Sequence, residues 1–285
     1  MRLRRNGGSV LQTELIRDMR LLCGSLVFVA ILLCAPSARA QTQSVLSDSS
    51  RAAAFDRLDR TSRMLIATVD CAQAAGRARA QGLFGPPDSV GRWGQCLHKD
   101  GRAFGVFFTP DSTFTTAQNL RVVDFANTVR YRGNVDTAAI LAEARASREA
   151  VRKGMPSFLR AQREAAPLSM RSDGDSIEVW LLPTGPFLSR TAPTVGGERG
   201  FVYSPDGRTL AREIDASDRF RTISIPDSGR VEIRSSEDNL PLISELMATN
   251  LLHDRGRDVQ LVTNAYTSQL VGPGSSAVWV QIHRR

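Results

Sequence analysis

The chain predicts an α+β fold: helices and hairpins in its first half, then a mostly antiparallel sheet with one packed helix. Three observations lead there. From about Ser50 to Ala80, Phe55, Leu58, Leu65, Val69 and Ala72 recur at alternating three- and four-residue steps. From Leu168 onward, short apolar runs are divided by turns containing Asp173-Gly174, Pro205-Asp206-Gly207-Arg208 and Pro226-Asp227-Ser228-Gly229. Strands and helices are also segregated along the chain, which argues against a βαβ sheet.

An address precedes the fold. Arg20 leads into the apolar run Leu21–Cys34, and Ala38-Arg39-Ala40 supplies small residues at −3 and −1 of a cut. Residues 1–40 are therefore expected to be a cleaved signal peptide, with the cut between Ala40 and Gln41. Met19 is a possible true start, because a signal counted from Met1 is long for its kind. The apolar run is shorter than the roughly 20 residues of a membrane helix. Large leucines directly before Cys23 and Cys34 argue against lipid attachment there. The expected location is periplasmic or secreted.

Removing that segment changes the charge balance. The whole chain carries 37 Lys+Arg and 29 Asp+Glu, a formal net charge of +8. Arg2, Arg4, Arg5, Arg17, Arg20 and Arg39 leave with the signal, as do Glu14 and Asp18, so the remainder is 31 against 27. A net +4 without basic clusters is not a nucleic-acid footprint. Lys99 and Lys153 are the only lysines, which reads as compositional bias. Two of the 4 cysteines remain, Cys71 and Cys96. An even count in an oxidising compartment predicts a disulfide, the alternative being two separate buried thiols.

Gln41–Ser49 is polar and aperiodic and reads as a flexible leader. The helix beginning near Ser50 ends at Gly82, Gly85, Pro86 and Pro87. Trp93–His98 and Ala103–Thr109 form a hairpin whose turn contains Asp100-Gly101. Phe104, Val106 and Phe108 alternate with Gly105 and Phe107, so that strand is expected to be covered on both faces. Asn119–Phe125 is a further strand. Asp136 caps a helix over Thr137–Lys153, with Ile140, Leu141, Ala144 and Val151 inward. Gly154-Met155-Pro156 is expected to interrupt it, with Ser157–Ala165 continuing as a kinked turn or a separate short helix. Ala165-Ala166-Pro167 separates a helix/hairpin/helix region, 50–166, from a β-rich region, 167–285.

Strands follow at Leu168–Arg171, Ile177–Leu182, Gly200–Ser204, Thr209–Ile214, Phe220–Ile225 and Arg230–Arg234, with Leu188–Gly197 as a loop. A helix over Asn239–His253, capped by Asp238, presents Leu240, Ile243, Leu246, Met247, Asn250 and Leu251 on one side. Strands at Val259–Thr263 and Ala277–His283 close the chain.

The chemistry-bearing residues do not assemble into a catalytic motif. His98, His253 and His283 are scattered, without ligand spacing. Nucleophile elbows and phosphate-cradling glycine loops are absent from the sequence. Gly196-Gly197-Glu198-Arg199-Gly200 is glycine-dense but opens a strand. No catalytic, cofactor-binding or metal-binding residue is nominated, and no cofactor is expected.

From Gly196 to about Thr263 the chain resembles, partially, an MPN/JAMM domain. Glu198 lies upstream, and Ser235-Ser236-Glu237-Asp238 matches a Ser-x-x-Asp that opens a helix in that family. Where the family carries its metal-binding histidine pair, this chain has Ile225-Pro226-Asp227. The resemblance implies a non-catalytic relative used for binding, since one carboxylate, Asp238, cannot hold zinc and activate water.

The expected function is therefore an exported, non-enzymatic binding or accessory module. Its partner would be an envelope protein or a small ligand, with no nucleic acid and no stable membrane span after cleavage. Its mark would be an exposed apolar patch or groove drawing on Trp93, Phe104, Phe107, Trp180, Phe187 or Tyr203. The alternatives are a hydrolase of unrecognised class, acting through carboxylates or a serine with His253, and a structural component of an envelope assembly. N-terminal sequencing of the exported protein is expected to begin at Gln41. A product retaining Leu21–Cys34 would overturn the cleavage.

Overall fold

The computed structural model of the chain describes residues 48–82, 91, 93–99, 102–124, 129–130, 134–172, 175–183, 193–215, 217, 219–235, 237 and 239–284. The signal, the Ala40–Gln41 cut, most of the leader, Phe187 and Asp238 lie outside these residues. The described part belongs to one compact unit, Leu46–Arg285, and its class is α+β.

Helix α1 (Asp48–Ala80) is 33 residues long, or about 50 Å at 1.5 Å per residue. It begins before Ser50, so the last two residues assigned to the leader are already helical. Phe55, Leu65, Cys71, Ala75 and Ala78 are buried along one stripe, while Asp56, Arg57 and Arg60 face solvent. Ala72, expected inward, is exposed. Cys71 takes the inward position and is bonded to Cys96 in β1 (Trp93–Lys99), with Cα atoms 6.0 Å apart. Closing this loop contributes roughly 3 kcal/mol by restricting the unfolded chain.

Strands β1, β2 (Arg102–Pro110), β3 (Ala117–Asp124) and β4 (Val129–Arg130) form an antiparallel sheet in chain order. Lys99 pairs with Arg102, leaving Asp100-Gly101, outside the described residues, as the connection. The double-sided cover of β2 is borne out. Phe107 packs with Val123, Ala75 and Ala78; Phe104, Val106 and Phe108 pack with Ile140, Leu141 and Ala144 of α2 (Thr137–Arg160).

Helix α2 starts as expected, with Ala139 N–H donating to Asp136 Oδ1 at 2.9 Å. It does not stop at Gly154-Met155-Pro156 but continues to Arg160. Phe158, fully buried against the next sheet, offsets the backbone hydrogen bond that Pro156 removes. Gly154 lets the helix close on that sheet, since a Cβ there would lie 2.3 Å from Leu181 Cδ1.

That sheet has the order β5-β6-β8-β9 and is antiparallel. Its strands are β5 (Ala165–Arg171), β6 (Ile177–Pro183), β8 (Arg199–Tyr203) and β9 (Leu210–Asp215). Alternation in β6 divides two cores. Ile177, Val179 and Leu181 face α2, whereas Trp180 and Leu182 join Leu65 of α1. The stretch read as a loop contains β7 (Thr194–Gly196), which pairs with β10 (Phe220–Thr222).

The last sheet has the order β11-β12-β13-β14, comprising β11 (Val231–Arg234), β12 (Val259–Val262), β13 (Tyr266–Val271) and β14 (Val278–His283). β11 and β12 are parallel around helix α3 (Ile243–Asp254), so one βαβ unit is present within the α+β fold. The helix begins later than the sequence suggests. Pro241 disfavours helical geometry at Leu240, and Leu242 becomes the N-cap position in place of Asp238. Nor is α3 one-sided: every residue from Ile243 to Asn250 is buried. Leu246 and Leu252 pack against Val231, Ile233 and Leu261; Ile243 and Met247 pack against Leu65 and Trp180. Toward α1, Asn250 Nδ2 donates to Asp59 Oδ1 and to Ser62 Oγ, both at 3.0 Å.

Gly154→Ala is expected to destabilise the protein by about 1–3 kcal/mol through overpacking against Leu181. A lowered urea midpoint with an unchanged slope would show it.

Candidate ligand-binding cleft

A cleft of about 910 Å³ opens beside the N-terminal half of α2. Leu97, Phe104 and Val122 come from successive strands of the first sheet, and Ala138, Leu141 and Ala142 from α2, giving it an apolar floor. Arg145, Arg171 and Arg208 line it together with Asp136, Asp175 and Asp206. One wall is the β8–β9 turn. Gly207, with φ +70°, brings this turn against α2; a Cβ there would lie 2.0 Å from the Ala142 carbonyl oxygen.

Arg145 ties the walls together. Its guanidinium donates to the Asp206 carbonyl and, at 2.7 Å, to that of Phe114, joining the β8–β9 turn to the β2–β3 loop. Phe114 itself is buried at φ 56°, a left-handed conformation that side chains other than glycine rarely adopt. The loop around it is held by Asp111, whose carboxylate accepts from Thr115 N–H at 2.7 Å and from Thr113 Oγ1 at 3.1 Å. The hydroxyl of Thr115 leads the hydrogen bonds that hold Asp111 well below the usual carboxylate range.

The carboxylates of the rim are mostly engaged. Asp136 caps α2. Asp206 accepts from Ser204 Oγ at 2.5 Å and from Arg208 N–H at 3.1 Å, and these bonds lower its pKa. Arg208, 3.8 Å from Asp206, has a side chain 63% exposed. It is the rim cation with most freedom to meet a ligand.

Behind the floor, Glu143 is buried. Its carboxylate lies 3.3 Å from Arg171 Nε and accepts from Ser169 Oγ at 3.4 Å. Burial pushes its pKa up to about 7, with Arg171 opposing. Arg171 also donates to the carbonyls of Asp175 and Ala139, so Glu143 holds the arginine that forms this side of the rim.

The residues that carry the MPN/JAMM resemblance, and the histidines, fall elsewhere. Glu198, 1% exposed, accepts from Ile243 N–H at 2.7 Å and Ser244 N–H at 2.8 Å. It supplies the capping oxygens that Leu242 lacks. Ser244 Oγ accepts from Gly196 N–H; Glu245 accepts from Leu242 N–H and from Arg221, each bond under 3 Å. Burial raises the Glu198 pKa to about 7 despite these bonds. Ser235 follows β11, donates N–H to the Val262 carbonyl, and stands before Pro241 instead of opening α3. His253 Nε2 meets the Gly272 carbonyl at 2.8 Å. His283 Nδ1 meets that of Arg284, with its ring edge-on to Tyr266. The side chains of His98 and Trp93 lie outside the described set. Among the described residues no group of three or more His, Cys, Asp or Glu could hold a metal ion.

Of the aromatics expected in a groove whose side chains are described, only Phe104 lines this cleft. Phe107, Trp180 and Tyr203 are buried in the cores. Sequence reasoning missed Arg145, Arg171 and Arg208 because they come from three separate elements. One signal was available: Glu143 falls on the apolar stripe of α2 beside Ile140 and Ala144, where a charge needs a partner.

The folded-state pKa of Glu143 lies above its unfolded value, so the native state binds the extra proton between about pH 4.5 and 7. Its contribution to stability is thus present in acid and is lost as pH rises through that window, by roughly 3 kcal/mol. Urea midpoints at pH 5 and pH 8 should show a smaller difference in Glu143→Gln than in wild type. Comparison with protein-family models, curated proteins and solved structures found no match.

Proposed function

We propose that this chain is an exported, non-enzymatic binding module that holds an amphipathic ligand in the α2 cleft. The observation carrying this reading is the pairing of an apolar floor with a polar rim. Its volume falls in the ordinary range of small-molecule sites, roughly 300–1,000 Å³. An apolar body would lie over Leu97, Phe104, Val122 and Leu141, and an anionic or polar head would face Arg208. The rim holds equal numbers of Arg and Asp, so burial of apolar surface supplies most of the affinity and charge orients the ligand.

A hydrolase needs a base or nucleophile facing its substrate. Here Glu143 sits behind the floor in contact with Arg171, and the nearest partner of His253 is a backbone carbonyl. These placements favour binding over turnover. In the same reading, residues 196–263 represent a non-catalytic relative of the MPN/JAMM domain, with Glu198 retained as a helix cap. Periplasmic or secreted placement rests on the Leu21–Ala40 pattern and accords with the Cys71–Cys96 disulfide. No described helix is long and apolar enough to cross a membrane.

Ala138 lines the cleft and is exposed, so a large side chain there fills the site without disturbing the core. Ala138→Trp is expected to weaken binding of anilinonaphthalene sulfonate, an apolar probe with an anionic head, by about tenfold or more. Arg208→Ala should cost about 1 kcal/mol, the scale of one partly exposed charged contact. Fluorescence titration that finds no binding to wild type, or equal binding to Ala138→Trp, would overturn the proposal.

A further inference from the structure

The outer face of the last sheet carries Val278, Val280 and Ile282, with relative exposures of 63%, 45% and 65%. They alternate along β14, the outermost strand in the order β11-β12-β13-β14. Its inner side pairs with β13 from Tyr266↔His283 to Val271↔Val278. Exposed Val271 on β13 extends the patch beside Val278.

The other edge strands among the described residues are blunted by one of the usual devices, which are charge, proline or short length. β11 presents Glu232 and Arg234 outward, β9 presents Arg212 and Glu213, β5 contains Pro167, and β1 ends at Lys99. β4, β7 and β10 run two or three residues. Between Val278 and Ile282, β14 has neither a charge nor a proline. Its exposed edge and aliphatic side chains are a template for another strand.

We propose that β14 pairs antiparallel with β14 of a second copy of this chain, about a two-fold axis through Val280. The strand is self-complementary in this register. Val278 faces Ile282 of the other copy, and Val280 faces its own equivalent, giving aliphatic pairs along one face. The charges agree too. Arg284 falls opposite Ser276, so the basic C-terminal residues of the two copies do not oppose each other. The pairing is isologous and closes at two, joining the two sheets into one of eight strands. A six-residue edge buries less than the ~1,200 Å² of a standard interface, so association is weak and concentration-dependent.

Cysteine cross-linking tests the register. Cys71 and Cys96 are bonded to each other, which leaves no competing native thiol among the described residues. Under mild oxidation the exported Val280→Cys protein should form a covalent dimer. Val278→Cys, at a more exposed position, should not, because its two copies would stand about 13 Å apart along the strands. Sedimentation of wild type should show a dimer fraction rising with concentration, abolished in Val280→Lys with its circular dichroism unchanged. Equal cross-linking of both cysteine variants, or a wild-type monomer at every concentration up to the millimolar range, would overturn the proposal. A monomer that instead captures an extended peptide on β14 would assign the edge to a different chain and overturn it equally.

Discussion

The structure depends on the seating of α1. This helix places Phe55 in the core of the last sheet, Leu65 in the core between the middle sheet and α3, and Ala75 and Ala78 on the first sheet. No sheet shares all its neighbours with another, so removing α1 would expose apolar surface in three places. The Cys71–Cys96 bond fastens the helix to the first sheet, where the side chains it buries are alanines. Two alanines bury little area there, and a covalent link offsets what hydrophobic burial does not supply.

The cleft inherits its shape from that arrangement. α1 covers one face of the first sheet, leaving the other to α2, and the cleft is lined from both α2 and that sheet. Arg145 then bridges two loops by backbone acceptors, which fixes the walls without consuming side-chain carboxylates. Behind it the buried Glu143 pairs with Arg171, whose side chain remains 29% exposed. Such pairs rarely add much net stability, because desolvation opposes attraction. Their value here is positional: the carboxylate aligns a guanidinium along the rim.

Much of the fold was readable from local pattern. The three helices, the Asp-Gly hairpin and the disulfide follow from periodicity, turn chemistry and cysteine arithmetic. What escaped depends on distant partners. Glu198 caps α3 across more than forty residues of sequence, so the missing polar N-cap at Leu242 looked like no helix start at all. α2 runs through Pro156 because Phe158 is buried by strands that local propensity does not see. β7 is three residues long, held by pairing to β10. β13 carried a signal in Tyr266-Thr267 and Leu270-Val271 ahead of Gly272-Pro273-Gly274, weakened by the polar Ser268-Gln269 between them. The described lining of the cleft draws on five elements and four connections between elements, and Phe104 alone among it had been offered as a groove residue.

The Asn250 amide has a consequence for how the two helices can sit. Its two N–H groups are spent on Asp59 and Ser62, acceptors on successive turns of α1. Aliphatic surfaces alone would tolerate a slide of one helix past the other, because one leucine-sized ridge resembles the next. A buried amide does not, since any other axial setting would strand its hydrogens in a dry interface. Asn250 therefore acts as a detent, selecting one docking position where greasy contact by itself would permit several.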